Sequence, residues 1–199
     1  MFSLAEFIAN PRLWQSSRKC SLVALLLFES EPLKDSGEGT RIMLAKEKAQ
    51  ISNLFSECPL AGMSGDDIEK LRCRAEGGGL NKSADIYLFH GELKDPLHMI
   101  ECKYRYVVAE GGLHGLRVRS IFEDLRRKFS DSRSFLIGQG REVGEDVWVV
   151  SNSNVASILE AEIVDLCEEA GVPPFNVVDN NGLHESLLRI GLLAERRDV

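Results

Sequence analysis

The stretch that decides the fold is Lys82-Ser-Ala-Asp-Ile-Tyr-Leu-Phe-His-Gly-Glu-Leu-Lys-Asp-Pro-Leu-His-Met-Ile-Glu-Cys-Lys-Tyr-Arg105. Apolar side chains recur at every second position near both of its ends, which predicts two β-strands. The polar segment from 91 to 96 between them is typical of a hairpin connection. An antiparallel register centred on Leu93 would place Asp85 opposite Glu101.

Three charged side chains are expected to meet on one face of this hairpin. Glu101 and Lys103 share a face because alternate residues of a strand point to the same side. With Asp85 opposite, two carboxylates could hold a hard divalent cation and an ammonium group could stand beside them. The plain alternative is an exposed sheet face with an ordinary cross-strand salt bridge.

The spacing of Asp85, fifteen further residues and then Glu101-Cys102-Lys103 resembles the signature of the PD-(D/E)XK nuclease superfamily, which has the restriction-endonuclease-like fold. The resemblance implies that Asp85 and Glu101 bind Mg²⁺, with Mn²⁺ as a substitute, and that Cys102 lends its main-chain carbonyl oxygen. It also implies that Lys103 positions or activates the attacking water. Ala84 stands where the family often, but not always, has Pro.

The helix predicted from Thr40 to Glu57 supplies one more candidate ligand. Thr40 is a possible cap, and Cys58-Pro59 would end the helix. Glu47 falls near the centre of the apolar side, where a carboxylate needs a partner or a metal. In the resembled family the first core helix often adds an acid to the metal site, so the resemblance implies this role for Glu47. The alternatives are an arginine partner or a rotated helix.

Between this helix and the hairpin, the residues 61–67 suggest a turn and the alternation over 71–76 suggests a half-exposed strand. The triplet Gly77-Gly78-Gly79 follows. It is either a hairpin turn or a loop lying against a phosphate backbone. In the second case Asn81 and Lys82 would be near the substrate.

After the hairpin, a glycine-rich loop from 107 to 115 contains His114, which is either exposed or able to reach a phosphate. A basic amphipathic helix is predicted from Leu116 to Phe129, followed by a loop over 130–144. Its arginines form either a solvated face or a grip on phosphates. The nucleic-acid contacts expected for a nuclease are Lys82, Arg105, Arg117 and Arg119.

The rest of the chain completes the predicted architecture. We expect two helical pieces over 1–31, split near Asn10-Pro11; a buried strand at 147–150; a helix at 155–170; a strand at 175–178; a turn at 179–182; and a helix at 183–194. The order from Thr40 is that of the αβββαβ core of the resembled family. The expected fold is thus one α/β domain with a central mixed sheet flanked by helices. Its core spans about 40–151, with an N-terminal helical extension (1–39) and a C-terminal helix-strand-helix (152–199) similar to Mrr-type domains.

Composition narrows the class of protein. The five cysteines, Cys20, Cys58, Cys73, Cys102 and Cys167, form no C-x-x-C pair, which argues against a disulfide framework or a zinc site and favours a reducing cytoplasm. The longest continuous apolar run, Leu22 to Phe28, is too short for a membrane span, so no membrane partner is expected. The net charge of −7 argues against a general nucleic-acid coat protein. Between Glu101 and Arg133, however, eight Lys and Arg stand against five Asp and Glu, a local charge of +3.

The function expected from these features is a Mg²⁺-dependent endonuclease that hydrolyses phosphodiester bonds, with DNA as the first substrate to consider, while the sequence does not choose between DNA and RNA. The overall acidity suggests a homodimer, or a larger complex in which a partner protein brings the substrate. Restriction, repair and phage-defence systems use such arrangements in this family. The alternative is a catalytically silent subunit that keeps the nuclease-like fold and acts as a binding or assembly module.

Overall fold

The computed structural model describes residues 20–76, 82–89, 96–106, 115–138 and 140–193. Its elements, in chain order, are β1 (Cys20–Ser21), α1 (Leu22–Glu29), α2 (Glu38–Leu54), β2 (Ala61–Ser64), α3 (Gly65–Glu76), β3 (Ile86–Phe89), β4 (Leu97–Cys102), α4 (Gly115–Gly138), β5 (Val143–Val150), α5 (Ser153–Ala170), β6 (Asn176–Val178) and α6 (Asn180–Arg189). The predictions for residues 1–19, the glycine triplet, Asn81 and His114 lie outside the described residues.

The strands form one mixed sheet in the order β1-β2-β3-β4-β5-β6. Neighbouring strands from β1 to β4 are antiparallel, whereas β4, β5 and β6 are parallel. The parallel pairs are joined through α4 and α5, because a parallel connection needs a long crossover. In the hairpin, Tyr87 lies opposite Met99, which confirms the predicted register. The same register continued by one residue places Asp85 opposite Glu101.

Alternating side chains of the central strands build a core on each side of the sheet. Tyr87, Met99 and Val149 pack on one face against α4 and α5. On the other face Ile100 and Trp148 pack against α1, α2 and α6. The chain therefore has an α/β fold in which helices flank a mixed sheet, as predicted. No helix in the described ranges is long and apolar enough to cross a membrane.

The predicted strand over 71–76 is wrong. This segment is the second half of α3, and the strand β2 occupies Ala61–Ser64, where a turn was expected. In the sequence, Ile68, Leu71 and Ala75 recur at the spacing of a helix as well as alternating with charged residues over a short window. Asp66 and Asp67 lie in the first turn, where acidic side chains favour a helix.

The predicted loop over 130–144 is also wrong, because α4 continues to Gly138 and β5 begins at Val143. The polar composition after Phe129 suggested the loop. In the fold, Ser132 is buried and its hydroxyl accepts hydrogen bonds from the main-chain N–H of Ala84 at 3.0 Å and from the Tyr87 hydroxyl at 2.9 Å. The helix can therefore continue through this buried polar residue, because donors from Ala84 and Tyr87 meet the hydrogen-bonding needs of its hydroxyl.

Four helix ends differ from prediction. The N-cap of α2 is Gly37 and not Thr40, and this helix ends at Leu54. The expected turn at 179–182 is the start of α6, where the Asp179 carboxylate accepts a hydrogen bond from the N–H of Gly182 at 2.9 Å. That helix ends at Arg189 and not at 194. Capping groups, which depend on local geometry, decide such ends.

We predict that Gly65→Ala lowers the free energy of unfolding by about 1–3 kcal/mol, as overpacking usually does. A Cβ atom on Gly65 would lie 1.7 Å from the carbonyl oxygen of Ala84, so the main chain leading into Asp85 would have to move. Urea denaturation measures the effect. The matched control is Gly39→Ala in α2, where nothing lies within 4 Å; we expect equal or higher stability there. A Gly65→Ala protein as stable as the wild type would contradict the prediction.

Candidate active site

Asp85 lies directly before β3, and the neighbouring strand fixes its side chain. The main-chain N–H of Cys102 donates to Asp85 Oδ2 at 2.8 Å. The main-chain N–H of Ala84 is held by Ser132 of α4. The antiparallel register therefore sets both the position and the orientation of this carboxylate.

Glu101 is the most buried member of the site, with a side chain that is 0% exposed. Its Oε1 atom accepts hydrogen bonds from the ammonium groups of Lys103 and Lys128, each at 2.5 Å. Its Oε2 atom has no hydrogen-bond partner within the described part of the chain. Since a buried carboxylate is costly without compensating partners, Glu101 depends on the two lysines.

The charges at Glu101 act strongly on one another. Burial and the neighbouring Asp85 raise the pKa of Glu101, while Lys103 and Lys128 oppose that rise. Burial is the largest single influence on the pKa of each lysine and would lower it, but the charge and hydrogen bond of Glu101 together with the charge of Asp85 outweigh burial, and the pKa of both lysines is raised. Both ammonium groups are therefore charged at neutral pH.

Helix α4 brings two more charged groups to the site. The ammonium of Lys128 also lies 3.4 Å from Asp85 Oδ1. Asp124, one turn earlier, forms an ion pair with Lys82 and lies 3.9 Å from Lys103. Burial would raise the pKa of Asp124, but the nearby lysines outweigh it and lower that pKa. We call Asp85, Glu101, Asp124, Lys82, Lys103 and Lys128 the carboxylate–lysine cluster.

The sequence did not point to Lys128 as a site residue. It falls within the helix predicted to be basic and amphipathic, and a signal for its position is present, because Lys128 follows Ile121 by seven positions and Leu125 by three. Those positions belong to the apolar stripe of α4, so a lysine among them must lie against the sheet.

Glu29, at the end of α1, is a second acid that the sequence did not single out. Burial raises its pKa to about 7, with a further rise from Asp85 and Glu101 and an opposing effect from Arg105. Its electrostatic neighbours are thus the two carboxylates of the predicted metal site. The sequence did contain a clue, since Glu29 is the last residue of a helix whose other residues are all apolar.

Glu47 is buried, as predicted, with 8% of its surface exposed. Its partner is neither an arginine nor a metal-site acid: Glu47 Oε2 accepts a hydrogen bond from the Asn180 side chain at 2.6 Å. Asn180 in turn accepts one from the Tyr104 hydroxyl at 2.6 Å. Burial and the nearby Asp179 raise the pKa of Glu47 to about 7. The metal role of Glu47 stays a prediction.

The four predicted nucleic-acid contacts have different neighbours in the fold. Lys82 and Arg117 line a cleft of about 570 Å³ together with Tyr106, and the Arg117 guanidinium lies 5.4 Å from the centre of the Tyr106 ring. Arg119 instead pairs with Glu169 of α5 at 3.0 Å. Arg105 donates to the carbonyl of Glu31 at 3.0 Å.

The oxygen atoms of Asp85, Glu101 and the Cys102 carbonyl are the candidate ligands for a divalent metal ion. Among the described residues, no group of three or more His, Cys, Asp or Glu side chains is arranged to hold a metal ion. Asp85 and Glu101, however, converge on one positive charge, and Glu101 keeps a buried oxygen that has no partner among the residues described. Two carboxylates and the Cys102 carbonyl suit a hard ion that keeps several waters, as Mg²⁺ does. The residues therefore fit the predicted metal.

Comparisons of the chain with protein-family models, with curated proteins and with solved structures found no match. Function is therefore inferred from the carboxylate–lysine cluster and from the spacing of Asp85, Glu101 and Lys103.

We predict that Glu29→Gln stabilises the protein at pH 8 but not at pH 4. The ordinary pKa of 4.5 rises to about 7 in the folded protein, so folding favours the protonated acid. That contribution is fully present below pH 4.5 and is lost as the pH rises through about 7. Thermal unfolding at both pH values measures the difference. Glu160→Gln, on the exposed surface of α5, is the control, and the same response in both variants would contradict the prediction.

Proposed function

We propose that this protein is a metal-dependent endonuclease that hydrolyses phosphodiester bonds in DNA by PD-(D/E)XK-type chemistry. The observation that carries the proposal is the convergence of Asp85 and Glu101, from adjacent strands, on one positive charge. Lys103 stands beside them, with its ammonium on Glu101. An ordinary surface salt bridge does not account for this arrangement, since Glu101 is fully buried.

The roles proposed for the residues follow from their positions. Asp85, fixed by the N–H of Cys102, and Glu101 would hold Mg²⁺, with the Cys102 carbonyl as a further ligand. When bound, the ion polarises the scissile phosphate and lowers the pKa of a bound water. Lys103 orients the attacking water and offsets the negative charge that develops on the phosphate. Its side chain is only 11% exposed, so its charge is weakly screened.

The order of the elements supports the proposal. Helix α2, strands β2, β3 and β4, helix α4 and strand β5 follow one another as in an αβββαβ core, with α3 added between the first two strands. The candidate residues stand at the start of β3 and the end of β4.

The residues around the site support a nucleic-acid substrate whose binding requires a second protein chain. The cleft lined by Lys82 and Arg117 is next to the site, because Asp124 lines that cleft and also contacts Lys103. The net charge of −7 and the pairing of Arg119 with Glu169 leave little positive charge for non-specific binding. We therefore propose that a homodimer or a partner protein contributes to substrate binding.

The same charge distribution favours one alternative, a subunit with this fold that binds or assembles without cutting. The two functions differ in a single observable, which is metal-dependent cleavage. The silent subunit would cut neither DNA nor RNA at any concentration of Mg²⁺ or Mn²⁺.

We predict that the wild type cleaves DNA with Mg²⁺ or Mn²⁺ and not with EDTA, and that Lys103→Ala lowers the cleavage rate by about 10²–10³-fold, as removal of one group that stabilises the transition state does. Linear, circular and single-stranded DNA and RNA are tested as substrates on gels. Lys46→Ala, which removes an exposed lysine of α2, is the matched control and should cut at the wild-type rate.

Two results would count against the nuclease. One is cleavage that persists undiminished in Lys103→Ala, which would indicate a contaminating enzyme. The other is the absence of cleavage of every substrate by the wild type, which favours the alternative function. If calorimetry also finds no divalent-metal binding, the carboxylates are structural.

A further inference from the structure

Lys128 joins the two carboxylates of the site to helix α4. Its ammonium lies 2.5 Å from Glu101 Oε1 and 3.4 Å from Asp85 Oδ1, and its side chain is 18% exposed. Lys103 contacts the same oxygen of Glu101 but comes from the position directly after strand β4. The ammonium of Lys128 therefore bridges the carboxylates of Asp85 and Glu101.

A cation in that position has two consequences. It offsets the repulsion between Asp85 and Glu101, which acts strongly because Glu101 is out of contact with water. It also repels any second cation that approaches the same two carboxylates. An ion bound between them would meet the ammonium of Lys128 at a few ångströms.

We propose that Lys128 is the internal counterion of the carboxylate pair and competes with the divalent metal for it. Its ammonium holds Asp85 and Glu101 together in the metal-free protein and moves away when the metal binds. The flexible stem of a lysine allows such a movement without a change in the helix. The proposal rests on the proposed function, since the metal site is the same, and it makes Lys128 a positioning residue that sets the metal affinity.

The direct test is the affinity for Mg²⁺ and Mn²⁺, measured by isothermal titration calorimetry without nucleic acid. We expect Lys128→Met to bind both ions at least about tenfold more tightly than the wild type, since a positive charge a few ångströms from a divalent ion is removed. Arg126→Met is the matched control. It removes a positive charge from the same helix, but Arg126 pairs with Glu123 outside the cluster, so its affinity should stay within about twofold. Asp85→Asn should abolish binding in either background.

A second measurement uses the wild type and does not depend on the folding of a variant. Acetylation of lysines by a small reactive ester is followed by mass spectrometry with and without Mg²⁺. The proposal predicts that Mg²⁺ speeds the labelling of Lys128 several-fold, because the ammonium leaves the carboxylates, and leaves the labelling of Lys46 unchanged. Labelling of Lys128 that slows or stays constant would overturn the proposal.

The outcomes separate this inference from the proposed nuclease. Wild-type metal binding that depends on Asp85, with no gain in Lys128→Met, overturns the counterion and leaves the nuclease in place. Tighter binding in Lys128→Met supports the counterion even if the wild type cuts no nucleic acid, which would overturn the nuclease alone. If neither protein binds a divalent ion, both are overturned.

Discussion

The burial of one carboxylate, that of Glu101, is the constraint on which the rest of the site depends. It lies next to the end of a central strand, has no exposed surface and has a second acid, Asp85, opposite it in the hairpin. An ionised group in this position is stable only with positive charge in contact. Strand β4 supplies Lys103 two residues further on, and helix α4 supplies Lys128 from above the sheet. Helix α4 must therefore lie where Lys128 can reach Glu101, so the packing of this helix and the charge balance of the site depend on each other.

Asp85 and the lysines of the site are held in different ways. Asp85 is held by the N–H of Cys102, and the segment before it is tied to Ser132 of α4. These partners are a main-chain group and a buried hydroxyl, and they hold Asp85 in place whether or not a cation is bound. The lysines reach the same site on long flexible stems. In the proposed function, a carboxylate fixed by the main chain and lysines that can move would allow a metal to bind and leave, and α4 would contribute Lys128 to this site as well as apolar side chains to the core.

Errors in the sequence-based interpretation arose where a local pattern had two meanings. The alternation over 71–76 predicted a strand, but the same residues also fit a helical spacing, and the helix was formed. The polar run after Phe129 predicted a loop, but burial of Ser132 against β3 allows α4 to continue. Glu47 was correctly predicted to be buried, yet its partner is Asn180, while Glu29 has the electrostatic link to Asp85 and Glu101. The spacing of apolar residues along a helix predicts which side chains are buried, but it does not predict which group from another element each of them contacts.

The sequence by itself predicted the hairpin and its register, since a slip by one residue would move each apolar set to the opposite face and the short connection disfavours larger slips. That register brings Asp85 opposite Glu101, and the same period puts Lys103 on the face of Glu101. It also determined the α/β class, through the order of helices and strands. Only the tertiary structure decided that Lys128 contacts both carboxylates, that Glu29 lies where their charges influence it, and that Arg119 pairs with Glu169 of α5. These contacts depend on how a helix lies across the sheet, which no spacing within a single element specifies.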